Sequence, residues 1–282
     1  MDPDHISPLN IRSLLSSYGL RPSKGLGQNF LVDDIILRRI VKESGITNKD
    51  FVLEIGPGLG SLTRYIALAA HQVIAVELDQ KLFPALQDIL SSFSNIQLIQ
   101  GDILQLDPWD LISGTDYLVV ANIPYYITSA LLRHLLSRSP KPRRIVLTIQ
   151  KEMAERICAS TKLSLLALSV QVFGKPSILM EINAKSFYPV PKVESALISI
   201  DIHPFESIPP EKLDIFFLLA KSGFSQKRKN LRNSLASGLK VSHGEIESIL
   251  HASEIDMNRR AESLSLMEWG KLTGSYLEWR SR

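Results

Sequence analysis

The feature that most constrains the fold is a regular alternation of short apolar runs with helical patterns between residues 51 and 149. Runs rich in β-branched residues that alternate with helices are typical of βαβ units, which build a parallel sheet covered by helices. Together with two later runs, they predict seven strands, at residues 51–55, 73–76, 96–99, 117–120, 145–149, 168–173 and 196–202. The sequence therefore predicts a doubly wound, Rossmann-like α/β fold.

The pattern changes at residues 203–210, HPFESIPP, where three prolines among eight residues interrupt any helix or strand. No strand-like run follows in the sequence. Amphipathic patterns instead predict helices at residues 211–223, 244–252 and 266–276, and upstream of the sheet at residues 6–19 and 33–45. We therefore predict an α/β domain over residues 1–203 and a small all-helical domain over residues 204–282.

Composition argues against several other classes of protein. Hydrophobic residues make up 45% and charged residues 22% of the 282, which is typical of a globular chain rather than a disordered one. The single cysteine, Cys158, can form neither an intrachain disulfide nor a multi-thiolate zinc site, and the six histidines lack metal-ligand spacing, so no metal is expected. No apolar run approaches the roughly 18 residues of a membrane span, and the start, MDPDHISPLN, lacks the order of a secretion signal. We expect a cytoplasmic monomer without membrane contact.

The strongest local motif is VLEIGPGLGSLT, residues 52–63. An apolar strand is followed by Gly56, Gly58 and Gly60 and then by a helical pattern, so the backbone can approach a ligand closely and the helix start offers free N–H groups. About 20 residues later a second strand ends at Glu77, a position from which a carboxylate accepts hydrogen bonds from ribose hydroxyls. Asp102, after the third strand, is expected beside an adenine ring.

The glycine spacing distinguishes between adenosine-containing cofactors. Dinucleotide sites favour G-x-G-x-x-G, whereas this turn has G-x-G-x-G with Ser61 after the third glycine, which favours S-adenosylmethionine. Each feature taken alone is better explained by a tight strand-to-helix turn with surface acids, since glycine-turn matches have many false positives. Their shared position at the carboxyl ends of successive strands, where open sheets bind ligands, favours the cofactor site.

A second motif, NIPY, follows the fourth strand at the same edge of the sheet. Such a motif could hold the amino group of an adenine base as substrate. Adenine N6 is a poor nucleophile because its lone pair is delocalised into the ring. The side-chain oxygen of Asn122 and the backbone carbonyl of Pro124 could accept both amino hydrogens and direct that lone pair at an electrophilic methyl group, without a strong base. Tyr125 could stack on a flipped-out base. The alternative is a turn after a buried strand, with Tyr125 and Tyr126 in the core.

These motifs and several others occur in an order that resembles the ribosomal RNA adenine N6,N6-dimethyltransferases of the small ribosomal subunit, over nearly the whole chain. They are RPSKGLGQNFL (21–31), VLEIGPGLGSLT (52–63), VIAVELD (73–79), GDIL (101–104), NIPYYI (122–127), IQKEMAERI (149–157), SFYPVPKVESALI (186–198), GFSQKRKNLRNSL (223–235) and RAESLSL (260–266). One departure is the segment after AER, ICASTKLSLLALSV, which is shorter than is usual in the family, so RNA contacts through that loop are not carried over.

The resemblance implies methyl transfer from S-adenosylmethionine to N6 of two adjacent adenosines near the 3′ end of small-subunit rRNA, giving N6,N6-dimethyladenosine within the immature small subunit. Asn122, Pro124 and Tyr125 would hold the target adenine, and Phe187 would help to sandwich it. Together with the glycine turn, the resemblance assigns cofactor contacts to Asn29, Leu31, Gly56, Gly58, Glu77, Asp102 and Asn122.

A basic run, KSGFSQKRKNLR at residues 221–232, contains five Lys or Arg and no acid, although the net charge of the chain is only +3. Such runs are usually solvated helix faces. The complete lack of acids favours contacts with RNA phosphates, which would position the substrate without reading its sequence. The residues predicted to make these contacts are Lys227, Arg228, Lys229 and Arg232.

Two alternatives to the small-subunit enzyme follow from the same motifs. A large-subunit rRNA dimethyltransferase that confers antibiotic resistance shares the glycine turn and the N-x-P-Y motif, and the choice of rRNA substrate would distinguish the two enzymes. An assembly factor that binds pre-subunits without methyl transfer is the alternative from another class. The intact set of glycine turn, Glu77, Asp102 and Asn122 favours an enzyme.

Overall fold

The computed structural model of the chain describes residues 6–112, 116–203 and 208–281. The first five residues of the acidic start lie outside the described residues, and so do residues 204–207 of the HPFESIPP segment, which include the predicted domain boundary at residue 204.

Nine strands and twelve α-helices are found within the described residues. The strands are β1 (Phe30–Leu31), β2 (Phe51–Ile55), β3 (Gln72–Glu77), β4 (Ile96–Gln100), β5 (Tyr117–Asn122), β6 (Arg144–Gln150), β7 (Gly174–Ile182), β8 (Phe187–Tyr188) and β9 (Ser195–Ile202). The helices are α1 (Ile11–Ser17), α2 (Asp34–Ser44), α3 (Ser61–Ala69), α4 (Phe83–Leu90), α5 (Pro108–Leu111), α6 (Thr128–Leu136), α7 (Lys151–Cys158), α8 (Leu165–Gln171), α9 (Leu213–Phe224), α10 (Leu231–Leu239), α11 (His243–Ala252) and α12 (Leu266–Arg280).

Seven strands form one sheet in the order β4-β3-β2-β5-β6-β9-β7, and β1 pairs with β8 in a separate two-stranded ribbon. The pairs from β4 through β6 are parallel, whereas β9 runs antiparallel to β6. The chain proceeds from β2 outward to β4, then returns and continues from β5 on the other side of β2. This reversal places a topological switch point between β2 and β5, where open α/β sheets bind ligands. The predicted doubly wound sheet is confirmed.

One predicted strand is wrong. Residues 168–173 belong largely to helix α8, and the seventh strand of the sheet is β7, which begins at Gly174. The Ser164 side chain caps α8 by accepting a hydrogen bond from the backbone N–H of Ala167 at 3.1 Å. Ala167, Leu168 and Val170 are buried from this helix. A short apolar run fits a buried helix as well as a strand, so its period alone could not decide.

The chain divides into two compact units. The first unit comprises the described residues up to Ala154 and Pro176–Ile202, and the second comprises Glu155–Lys175 and the residues from His203 onward. Residues 155–175, assigned to the first domain on sequence, therefore group with the helical unit. The reason is apolar contact within that unit, where α8 packs against α9 and the rings of Phe173 and Phe217 lie 6.2 Å apart.

Besides α8, the helical unit contains α10, a helix that the sequence patterns did not predict and that begins where the basic run ends. Helices α9 and α10 approach closely at Gly238, where a Cβ atom would lie 2.6 Å from Ser222. Ser242 with Glu245, and Ser265 with Glu268, form capping boxes that start α11 and α12. No described helix is both long enough and apolar enough to cross a membrane.

Candidate active site

A cavity of about 210 Å³ lies in the first unit at the carboxyl ends of β2, β3, β4 and β5. Its walls come from the segment before and within β1 and from the turns that follow those four strands. Every residue predicted to bind the cofactor lines this one cavity: Asn29, Leu31, Gly56, Gly58, Glu77, Asp102 and Asn122. The topological switch point therefore brings together side chains that lie up to 93 residues apart in sequence.

The glycine turn after β2 forms one side of the cavity. Gly56 and Gly58 have φ angles of +69° and +62°, a left-handed backbone conformation that other residues adopt at a cost. A Cβ atom at Gly58 would lie 3.0 Å from the ring of Phe30. The turn leads directly into α3, which has no side-chain cap, so its first N–H groups and its positive dipole end face the turn.

Glu77 is fixed against this turn. Its Oε2 accepts a hydrogen bond from the Gly58 N–H at 3.0 Å, and its Oε1 accepts one from the Asp79 N–H at 2.8 Å. Burial raises the pKa of Glu77, and the hydrogen bonds from Asp79 and Gly58 oppose that rise. Each carboxylate oxygen keeps further lone-pair capacity, so Glu77 can also accept hydrogen bonds from a ligand.

Asn122 is the last residue of β5, and its side chain has a defined orientation. Its Nδ2 donates a hydrogen bond to the backbone carbonyl of Asn29 at 3.1 Å. The Asn29 side chain in turn donates to the Gly27 carbonyl at 3.1 Å. Because the Asn122 amide nitrogen is engaged by the protein, Oδ1 is the atom left to accept a hydrogen bond from a ligand.

The tyrosines of the NIPYYI motif do not fill the core, in contrast to the alternative raised by the sequence. Tyr126 is 61% exposed and Tyr125 is half-buried. The Tyr125 hydroxyl lies 2.6 Å from Oγ of Ser195 on β9, and burial raises its pKa. The carbonyl of Pro124 accepts a hydrogen bond from the Ile127 N–H at 3.2 Å, which leaves it a second lone pair.

Phe187 lies elsewhere than predicted. It pairs with Leu31 in the β1–β8 ribbon, is only 2% exposed, and packs in a core cluster with Leu37 and Tyr65. Successive side chains of a strand point to opposite sides, so Phe187 enters the core while Tyr188 faces Arg12, whose guanidinium lies 4.7 Å from the ring. In this structure the Phe187 ring is not part of the cavity wall, and the expectation that it sandwiches the base is corrected accordingly.

Glu54 also lines the cavity, and the sequence analysis did not single it out. It is 1% exposed on central strand β2, and its Oε2 has no hydrogen-bond partner among the described residues. Burial raises the pKa of Glu54 to about 8; a weaker opposing influence comes from Thr63, and the Glu77 charge adds to the rise. An acid within the apolar run FVLEI was the sequence signal for this residue, because central parallel strands are otherwise nearly all hydrophobic.

We expect the substitution Glu54→Gln to weaken the pH dependence of stability. Between pH 4.5 and about 8 the unfolded chain has lost the Glu54 proton that the folded protein retains, so stability falls as pH rises through this range. A glutamine is neutral throughout this range. The melting temperature of the variant should therefore fall less between about pH 6 and about pH 9 than that of the wild type. Thermal unfolding followed by circular dichroism tests this, with the exposed Glu152→Gln as control. Equal losses in wild type and Glu54→Gln would contradict it.

The predicted RNA-contacting residues divide into two groups. Lys227, Arg228 and Lys229 are exposed in the loop between α9 and α10. Arg232 instead lies within α10 and pairs with Glu247 on α11, with Nη1 and Oε1 2.6 Å apart. The guanidinium of Arg232 already has a carboxylate partner in this structure, and its contact with an RNA phosphate stays a prediction. Among the described residues, no group of three or more His, Cys, Asp or Glu could hold a metal ion.

The sequence profile of a family described as "Ribosomal RNA adenine dimethylase" matches residues 20–275, which is most of the chain. The chain belongs to the ribosomal RNA adenine dimethylase family. The resemblance recognised from the motifs is therefore confirmed, and with it the assignment of the chain as an rRNA adenine dimethyltransferase at the level of the family.

Two relatives of this dimethylase carry the name Ribosomal RNA small subunit methyltransferase A. The protein from Dehalococcoides mccartyi (strain CBDB1) is 44% identical over 269 residues, which cover 94% of this chain and 92% of that protein. The protein from Alkaliphilus metalliredigens (strain QYMF) is 39% identical over 276 residues, which cover 95% of this chain and 96% of that protein.

Two solved structures resemble the dimethylase in fold. A dimethyladenosine transferase from Plasmodium falciparum has a TM-score of 0.76 and 25% identity, and covers 88% of this chain and 97% of its own. The 23S rRNA methyltransferase ErmE has a TM-score of 0.71 and 26% identity, and covers 88% of this chain and 99% of its own. Both are methyltransferases, which agrees with the fold class predicted from sequence.

Proposed function

We propose that this dimethylase transfers methyl groups from S-adenosylmethionine to N6 of two adjacent adenosines near the 3′ end of small-subunit rRNA, within the immature small subunit. The observation that carries the proposal is the orientation of Asn122. Its amide nitrogen is bound to the Asn29 carbonyl, and its oxygen remains as an acceptor in the cavity that Glu77 also lines.

The cavity wall suits the methyl donor. Glu77, anchored by two backbone N–H groups, would accept hydrogen bonds from the ribose, and Asp102 would lie by the adenine of the donor. The turn at Gly56 and Gly58 would lie against the amino-acid end of the donor, and the left-handed φ of both residues disfavours any side chain there. When bound, S-adenosylmethionine supplies an electrophilic methyl group.

Catalysis would rest on how the protein holds the target amine. Oδ1 of Asn122 and the free lone pair of the Pro124 carbonyl would accept the two N6 hydrogens, which draws the nitrogen lone pair out of conjugation with the ring. Tyr125 would stack on the base, and its hydroxyl contact with Ser195 holds the far end of its side chain in place. No strong base is needed, because the amine becomes acidic only as it gains the methyl group.

The second methyl transfer imposes a condition on this clamp. A monomethylated amine has one N–H, so only one of the two acceptors can hold a hydrogen in the second round. Asn122 and the Pro124 carbonyl therefore cannot both grip the amine rigidly in both rounds. The Pro124 carbonyl already accepts the Ile127 N–H at 3.2 Å, so it retains one hydrogen bond when the substrate hydrogen is absent.

The names of the relatives support the small subunit over the large one. The relatives named for the small subunit are 39% and 44% identical over nearly the whole chain, whereas ErmE, named for 23S rRNA, is 26% identical. We expect labelled methyl groups to enter unmodified small subunits and to be recovered as N6,N6-dimethyladenosine. Naked large-subunit rRNA serves as the comparison, and preferential labelling of that RNA would contradict the proposal.

The exposed basic loop of the helical unit is proposed to contact RNA phosphates. We expect the triple substitution of Lys227, Arg228 and Lys229 by alanine to weaken RNA binding. The slope of the logarithm of the association constant against the logarithm of the salt concentration should become smaller by about 2–3, since each lost phosphate contact lowers it by about 0.7–0.9. Filter binding across a salt series measures both quantities.

The control for the basic loop removes three other exposed charges, Lys42, Lys49 and Lys175, in one triple alanine variant. Lys42 and Lys49 precede the amino end of β2, which is the edge of the sheet opposite the cavity. If the control variant loses as much affinity and slope as the loop variant, the loop has no specific role.

A further inference from the structure

The segment before β1 is held in place by the side chain of Gln28. Its Oε1 accepts a hydrogen bond from the Ser23 N–H at 2.7 Å, which closes a tight turn, and its Nε2 donates to Oδ2 of Asp79 at 2.8 Å. The backbone N–H of Gln28 also donates to the Ser23 carbonyl at 3.2 Å. Gln28 is partly buried and lines the cavity. Its amide thus joins two segments that are 51 residues apart.

Asp79, the partner of Gln28, lies two residues after Glu77, which lines the cavity. Its backbone N–H donates to Oε1 of Glu77 at 2.8 Å. Its other carboxylate oxygen, Oδ1, accepts the Lys81 N–H at 3.1 Å and caps the short helical turn that follows. Asp79 is therefore fixed relative to Glu77, and Gln28 is fixed relative to both.

The residue after Gln28 leads to the other side of the cavity. The carbonyl of Asn29 accepts the hydrogen bond from Nδ2 of Asn122 at 3.1 Å. This carbonyl belongs to the residue that directly follows Gln28, so a shift of Gln28 displaces the acceptor that orients the Asn122 amide. A continuous series of hydrogen bonds and one covalent step runs from Glu77 through Asp79, Gln28 and Asn29 to Asn122.

We infer that Gln28 is a positioning residue for methyl transfer: by binding Asp79 it holds the Asn29 carbonyl, which keeps Oδ1 of Asn122 directed at the target amine. The inference rests on the proposed function, because it concerns the orientation of the same clamp. It also links the two halves of the site, since the Gln28–Asp79 hydrogen bond starts beside the ribose acceptor Glu77. Gln28 itself touches neither reacting atom in this scheme.

An exchange of partners tests the inference. Gln28→Glu places a carboxylate against Asp79, so the hydrogen bond is lost and the loop is repelled. In the double variant Gln28→Glu/Asp79→Asn, the side-chain amide at position 79 donates a hydrogen bond to the carboxylate at position 28. The side-chain oxygen at position 79 still accepts the Lys81 N–H, and the second carboxylate oxygen at position 28 still accepts the Ser23 N–H. The double variant carries the same net charge as the wild type. Gln97→Glu, at an exposed site on β4, is the matched control for the single change.

We expect Gln28→Glu to lower kcat about tenfold at saturating donor and RNA. A change of this size corresponds to the loss of about one hydrogen bond from the stabilisation of the transition state. The double variant should recover to within about threefold of the wild type, and Gln97→Glu should match the wild type. A residue that merely stabilises the fold would lower melting temperature and activity together and would show no rescue by exchange. Asp79→Asn alone completes the set, and a loss in the double variant equal to the sum of the losses in Gln28→Glu and Asp79→Asn would overturn the inference.

A spectroscopic readout separates this inference from the proposed function. In ¹⁵N–¹H spectra, the side-chain amide resonances of Asn122 should move in Gln28→Glu and return in the double variant. This measurement needs neither RNA nor turnover, so it remains decisive if the wild type fails to methylate small subunits, the result that would refute the proposed function. Unmoved Asn122 resonances in Gln28→Glu would overturn the role of Gln28 even in an active enzyme.

Discussion

Alanine in place of Asn122 is expected to lower the rate of methyl transfer by about 10²–10³-fold, the range seen when one preorganised polar group is removed from an active site. The amide oxygen is the acceptor that the structure leaves free, so its loss removes the polarisation of the target amine. The donor site retains Glu77 and the glycine turn, so affinity for the donor should change by less than about tenfold.

Three measurements make the Asn122 test sharp. Single-turnover methyl transfer gives the rate, and calorimetric titration with S-adenosylhomocysteine gives the affinity of the donor site. Sedimentation with immature small subunits shows whether RNA docking survives, which we expect. Asn48→Ala, at an exposed site before β2, is the matched control. Equal losses in rate and donor affinity would refute the clamp role of Asn122.

The second large effect is expected for Glu77→Gln, which should weaken binding of the donor by about 10- to 100-fold, the equivalent of about 1.5–3 kcal/mol for hydrogen bonds to a charged group. A glutamine has one oxygen, so it cannot accept from both the Gly58 and Asp79 N–H groups while also receiving ribose hydroxyls. The turn and the ribose acceptor are therefore disturbed together.

The Glu77 test separates binding from chemistry. Titration with S-adenosylhomocysteine measures affinity, and kcat at saturating donor should fall much less than affinity does. Glu211→Gln, an exposed carboxylate of the helical unit, controls for the loss of one negative charge. A variant with wild-type donor affinity and a greatly reduced kcat would show that Glu77 serves the reaction rather than the ribose.

The sheet could be predicted from the sequence because its signals are local, and the same local signals place the residues proposed to hold the donor. Strand β2 was predicted with its exact bounds, and Gly56, Gly58 and Glu77 were placed on one sheet edge from the order of strand, turn and helix alone. Parallel strands of a doubly wound sheet bring their carboxyl ends to a common edge, so chain order is sufficient for this part of the site.

Other features required long-range contacts that no local pattern reports. The apolar run at residues 168–173 predicted a strand. Packing within the helical unit and the Ser164 side chain, which caps the start of α8, place most of these residues in a helix instead. Phe187 was expected at the base, but pairing of β8 with β1 turns it into the core. The ion pair between Arg232 and Glu247 on the next helix could not be predicted from the basic run alone.

The amino-acid sequence by itself determined the doubly wound sheet, the glycine turn with its acids, and the NIPY motif at the same edge, since each is encoded within about a dozen neighbouring residues. Only the tertiary structure decided which atoms face the ligand. The orientation of the Asn122 amide depends on Asn29, 93 residues away, and the link from Gln28 to Asp79 spans 51 residues. A hydrogen bond depends on the distance and direction between two groups, and those quantities exist only once the chain has folded.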